Sequence, residues 1–87
     1  LMFILLSMMR FPSMKGRILL RILTSEPLNY RIIRTKGSHM TLQSKTYPPI
    51  TFSIHSGKEA SSNYVKNLLT KDVGLEEEVA WLIIKLH

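Results

Sequence analysis

Apolar positions recur along this chain at two different spacings. In residues 15–24 (KGRILLRILT), Ile18, Leu19, Ile22 and Leu23 fall on one side of a helical wheel, and Lys15, Arg17 and Arg21 fall on the other. The spacing predicts an amphipathic helix with a basic outer surface, and Ser13 after Pro12 is the expected cap. Ser25-Glu26-Pro27 should end it, because a residue ahead of proline avoids the helical backbone region.

The period then changes to two. Residues 29–34 (NYRIIR) set Tyr30 and Ile32 against Arg31 and Ile33. Residues 38–43 (SHMTLQ) set Met40 and Leu42 against His39, Thr41 and Gln43, and residues 50–55 (ITFSIH) set Ile50, Phe52 and Ile54 against Thr51, Ser53 and His55. Lys36-Gly37 supplies the first turn, and residues 44–49 (SKTYPP) supply the second, with the prolines held at a strand edge.

Helical spacing returns after Ser56-Gly57-Lys58-Glu59. Ser61 or Ser62 can cap a helix running through Thr70, with Tyr64, Val65, Leu68 and Leu69 on its apolar side and Gly74 at its C-terminal exit. Residues 75–86 (LEEEVAWLIIKL) read as a last helix, with three glutamates in its first turn and Lys85 in its last, matching the helix dipole. Leu75, Val79, Leu82, Ile83 and Leu86 form its expected buried stripe, and Trp81 and Ile84 lie off it. Helix, three strands, helix, helix is an α+β order. It predicts a three-stranded antiparallel meander covered by helices on one face and open and polar on the other.

The first eleven residues (LMFILLSMMRF) fit none of these elements. The run is too short to span a membrane, for which about 20 apolar residues are needed. It also lacks the basic start and small-residue cleavage site of a signal peptide. Residues 1–13 are therefore read as an apolar extension or misplaced start, with Met14 the natural first residue of a single domain over residues 14–87. A membrane or partner contact is the lesser reading of the run.

Charge adds a functional bias. Residues 1–58 carry nine Lys and Arg against Glu26 alone, whereas residues 59–87 carry three Lys against five acids. A polyanion binder carries this kind of asymmetry, although a cationic surface can also serve solubility alone. The chain has no cysteine, which removes disulfides, zinc–thiolate sites and thiol catalysis and fits a reducing cytoplasm. No His, Asp and Glu cluster has metal-ligand spacing, no serine sits in a nucleophile elbow, and no glycine-rich phosphate loop is present.

What remains is Arg34-Thr35-Lys36-Gly37-Ser38-His39, two cations and a turn directly ahead of a histidine. Lys and Arg would hold a phosphate backbone there. Histidine is the side chain whose reference pKa, about 6.5, suits proton exchange at cellular pH, so one here could remove the proton of a ribose 2′-hydroxyl, and Lys36 could stabilise the charge that develops. The plain alternative is a solvated histidine on a polar strand face. Gly37-Ser38-His39-Met40 also spells a purification-tag scar, but it lies mid-chain with no histidine run ahead of it.

Residues 14–86 resemble the HicA toxins of toxin–antitoxin pairs. The likeness is carried in order by Met14-Lys15-Gly16-Arg17 leading into Ile18-Leu19-Leu20-Arg21-Ile22-Leu23, by Lys36-Gly37-Ser38-His39, by Ile54-His55-Ser56-Gly57-Lys58-Glu59, and by Val65-Lys66-Asn67-Leu68-Leu69 with Gly74-Leu75-Glu76-Glu77-Glu78. Met40 stands where the family often has a second histidine, residues 44–49 lack the usual glycine, and Ala60 replaces a common leucine. The resemblance implies a fold like double-stranded-RNA-binding domains and a cytoplasmic endoribonuclease that cleaves mRNA without metal or other cofactor. His39 would be catalytic, and Arg34, Lys36, Gly37, Ser38 and Lys58 would bind RNA. It further implies a hetero-oligomeric complex with a HicB-like antitoxin and no membrane partner. Two other readings share the scaffold: a non-catalytic RNA-binding module, and a decayed toxin that only binds its antitoxin.

Overall fold

The computed structural model of the chain describes residues 10–87. A short strand, β1 (Met14–Lys15), pairs antiparallel with β5 (Glu59–Ala60), setting Met14 opposite Ala60 and Lys15 opposite Glu59. Two residues are too few to show a period, so sequence alternation does not reveal this pair. It moves the start of α1 (Gly16–Thr24) past Ser13, and Lys15 rather than Ser13 occupies the cap position. The first helical N–H groups find carbonyl partners instead: Gly16 donates to Lys58 at 2.8 Å and Arg17 to Ser56 at 3.2 Å. Leu19, Ile22 and Leu23 are buried, while Arg17 and Arg21 stay exposed.

Gly16 is required at this junction. A Cβ there would run into the His55 carbonyl oxygen and lie 2.8 Å from Ile54 Cγ2. Because one obstacle is backbone, it cannot swing aside. Gly16→Ala should therefore lower stability by about 1–3 kcal/mol, read as a lower urea midpoint at unchanged slope. An unchanged midpoint would mean that residues 54–58 do not pack against the start of α1.

The three-stranded antiparallel sheet has the predicted order, β2 (Arg31–Lys36), β3 (His39–Gln43) and β4 (Ile50–Phe52). β2 begins later than alternation suggests. Asn29 adopts a left-handed backbone (φ 52°), and the Tyr30 N–H donates to Leu23 at 2.9 Å, tying this stretch to the end of α1 instead of to the sheet. β4 is also shorter than expected and ends at Phe52, leaving His55 in the following turn.

Gly37 and Ser38 alone connect β2 to β3, so Lys36 lies opposite His39. Gly37 has φ 61° while Ser38 stays out of the left-handed region, the arrangement of a type II′ hairpin turn. Further along, the pairing slips between Ile32 and Arg34, and Ile33 is the extra residue of a β-bulge.

α2 (Ser62–Asn67) is capped by Ser61, one of the two candidate serines, whose hydroxyl accepts the Tyr64 N–H at 3.1 Å. It widens into a π-helical turn (Leu68–Asp72) in which the Val73 N–H reaches the Leu68 carbonyl at 2.9 Å. The wider turn lets Leu68, Leu69 and Val73 all face the core. Gly74 (φ 89°) then reverses the chain.

The last helix, α3 (Glu77–Lys85), differs from its prediction in phase. Ala80 and Ile83 are buried with Trp81 and Ile84 packed against the core, whereas Val79, Leu82 and Leu86 are 43%, 56% and 75% exposed. Leu75 is buried but precedes the helix, so it does not set the helical phase. Ile83 belongs to both possible stripes, and the one centred on the small Ala80 wins.

Leu42, Ile50 and Phe52 contribute the inner face of the sheet to a core shared with all three helices. Phe11, placed by sequence in the extension, is also buried there, so core packing begins ahead of Met14. Residues 1–9 of the apolar run lie outside the described residues.

Candidate nucleic-acid interface

Residues directly opposite each other in an antiparallel sheet share a face. Met40 pairs with Thr35 and Phe52, and Leu42 with Ile32 and Ile50, which defines the inner face. The outer face follows from the remaining pairs: Lys36 with His39, Arg34 with Thr41 and Thr51, and Arg31 with Gln43. The bulge makes this possible. Arg31, Arg34 and Lys36 do not share a two-residue period, yet the extra residue at Ile33 brings all three into line. Strict alternation, the basis of the sequence reading, groups Arg31 with Ile33 instead.

The outer face carries cations and no carboxylate. Arg31, Arg34, Lys36 and His39 are exposed, and β2, β3 and β4 contain no acidic residue. Among the described residues one ion pair forms, Lys66 to Glu77 at 3.7 Å, and it lies away from this sheet on α2 and α3. The face cations are thus not neutralised within the fold and are open to phosphate.

Of the residues singled out by sequence, Arg34, Lys36, Gly37, Ser38 and His39 come together in one hairpin. Met40 turns inward as expected, half-buried against the core. Lys58 does not join them. It lies in the turn before β5, outside the three-stranded sheet, where its carbonyl receives the Gly16 N–H and its own N–H donates to His55 at 3.0 Å. Arg31 was missed, and Gln43, already on the polar face of β3 by alternation, was not assigned to the site. The signal for Arg31 was the Ile32-Ile33 doublet between two arginines, which breaks alternation where the bulge sits.

His39 stands first in β3 with its ring exposed, and among the described residues no side chain hydrogen-bonds to it. A ring so placed can reach a bound strand from the solvent side. Among the same residues no three His, Asp or Glu side chains converge as metal ligands, and no helix is long and apolar enough to cross a membrane.

Beneath the far end of the sheet, the Tyr30 hydroxyl donates to the Pro48 carbonyl at 2.6 Å. Burial, with Tyr47 and Asp72 adding to it, pushes this hydroxyl up to about 12. The folded state therefore keeps the proton after the unfolded chain has lost it. Stability from this group is complete below pH 10 and should fall as pH rises from about 10 to 12, by up to about 2 kcal/mol. Urea midpoints across that range test it. Tyr30→Phe should flatten the decline relative to the parent, and an equal decline in both would show that Tyr30 is not its source.

Comparison with protein-family models, with curated proteins and with solved structures returns no match.

Proposed function

We propose that this chain is a HicA-like toxin endoribonuclease that lays mRNA across the outer sheet face and cuts it beside His39. The observation that supports this most is the hairpin register, which sets an exposed histidine directly opposite Lys36 on a face without a carboxylate. Arg34 and Lys36 hold the phosphate backbone, and the Gly37-Ser38 turn lets that backbone approach closely.

The neutral His39 ring takes the proton of a 2′-hydroxyl, and the freed oxygen attacks the adjacent phosphorus. The bond to the 5′-oxygen breaks, and that oxygen takes a proton from water or from the imidazolium. The products are a 2′,3′-cyclic phosphate and a 5′-hydroxyl end. Lys36 offsets the negative charge that builds on the phosphate oxygens. The reaction is cytoplasmic, uses no metal or other cofactor, and is silenced when a HicB-like antitoxin covers the cationic face in a hetero-oligomeric complex. An acidic antitoxin surface would complement it.

Purified protein incubated with single-stranded RNA and a metal chelator should yield fragments ending in a cyclic phosphate. Intact RNA under those conditions would sink the nuclease reading. A second reading, a non-catalytic RNA-binding module, is favoured by one observation: among the described residues no side-chain hydrogen bond orients the His39 ring. It predicts binding with no fragments.

A further inference from the structure

We propose that the cavity at the Arg31 end of the sheet is a nucleotide subsite, taking the base and phosphate of a residue a few nucleotides from the bond beside His39. The proposal rests on the reading of the outer sheet face as an RNA-binding surface. The cavity has a volume of about 750 Å³, and Asn29, Tyr30, Arg31, Gln43, Lys45 and Thr46 are among its walls. That size lies within the range of small-ligand sites, about 300–1,000 Å³.

Its chemistry is selective. Two cations line it and no carboxylate does, which favours an anionic ligand over an amine or a metal ion. The side-chain amides of Asn29 and Gln43 each offer both a donor and an acceptor, as a base edge requires. Arg31 and Lys45 are exposed and can reach a phosphate.

The walls are fixed before any ligand arrives. The Ser44 hydroxyl donates to the Leu28 carbonyl at 2.8 Å and accepts N–H groups from Thr46 at 3.2 Å and Tyr47 at 3.4 Å. The Tyr30 hydroxyl holds the same loop at Pro48. The loop over residues 44–49 is thereby pinned at both ends against the segment that carries Asn29.

Position connects the cavity to His39. Arg31 and Gln43 are a cross-strand pair of the outer face and also line the cavity. From His39 to Gln43 the strand advances about 13 Å at ~3.3 Å per residue. Sheet-based RNA-binding modules place about two or three bases over such a surface. One strand can therefore present a phosphate at His39 and a later or earlier nucleotide in the cavity.

The test is an amide-shift titration of the full ¹⁵N-labelled chain with adenosine and uridine 5′-monophosphates, with inorganic phosphate in parallel. Saturable shifts are expected at Asn29, Arg31 and residues 43–46. The double variant Arg31→Ala/Lys45→Ala, both exposed positions, should keep the parent circular dichroism spectrum and weaken that binding at least tenfold. Absence of shifts at the cavity, equal shifts with inorganic phosphate alone, or unchanged affinity in the double variant would each overturn the subsite. A cleavage-resistant 2′-O-methyl hexanucleotide should shift the cavity and residues 36–39 together, and response at only one of them would overturn the connection. Failure of the subsite with RNA still cut leaves the nuclease reading standing. Failure of cleavage with the mononucleotide shifts intact sinks the nuclease reading alone.

Discussion

Replacing His39 with alanine is expected to lower chelator-resistant RNA cleavage by about 10²–10⁴-fold, the contribution typical of one positioned acid–base group. Folding and RNA affinity should survive the change. His39 is exposed and, among the described residues, no side-chain hydrogen bond is lost with it. Exposed substitutions of this kind usually alter stability by no more than about 0.5 kcal/mol. Arg34 and Lys36 remain on the same face to hold the backbone. In cells, expression of the parent chain should arrest growth and the variant should not. Full cleavage by His39→Ala at parental stability would remove the histidine from the mechanism. Parallel loss of RNA binding would mean that the ring holds the strand and does no proton transfer.

The largest effect on the fold is expected from Phe52→Ala. Phe52 is 1% exposed, pairs with Met40 on the inner face of β4, and meets the Tyr64 ring edge-on at 6.4 Å and 68°. Truncating a buried phenylalanine costs about 3–5 kcal/mol through lost transfer energy and the cavity left behind. Domains of this size hold total stabilities of about 5–15 kcal/mol, so the variant should sit near the edge of folding. Its melting temperature should fall by roughly 12–40 °C at ~4–8 °C per kcal/mol. RNA cleavage should then fail with the fold and recover on cooling, whereas the His39→Ala defect should persist at every temperature. A Phe52→Ala protein that melts with the parent would place the core elsewhere than under this sheet.

Long segments with clear patterning were legible in the sequence. α1 was read from its basic and apolar sides, β3 from the alternation of His39, Thr41 and Gln43 against Met40 and Leu42, and the cap of α2 from the Ser61-Ser62 pair. What escaped was set by contacts distant in sequence. β1 and β5 are two residues each and exist because Met14 and Ala60 meet across the fold. The phase of α3 was open between two stripes that share Ile83, and packing at Ala80 decided it. Within the candidate site, the hairpin from Arg34 to His39 was visible because its residues are contiguous. Gln43 was legible as part of the polar face of β3, but Arg31 was not, since only the slipped register of β2 brings it into line with Arg34 and Lys36.

That slipped register has a consequence for how β2 can vary. Ile33 is half-exposed and unpaired in the ladder, so its side chain is open to exchange. Pairing Ile33 into a regular ladder would force a choice. Either Arg34 and Lys36 keep their face and Arg31 turns toward the core, or Tyr30 and Arg31 hold and the other two cations rotate away from His39. Substitution at this position is nearly silent, and even its deletion leaves Arg31, Arg34 and Lys36 in strict alternation on one face. What the strand does not tolerate is Ile33 entering the ladder, which would uncouple the binding surface from the core beneath it.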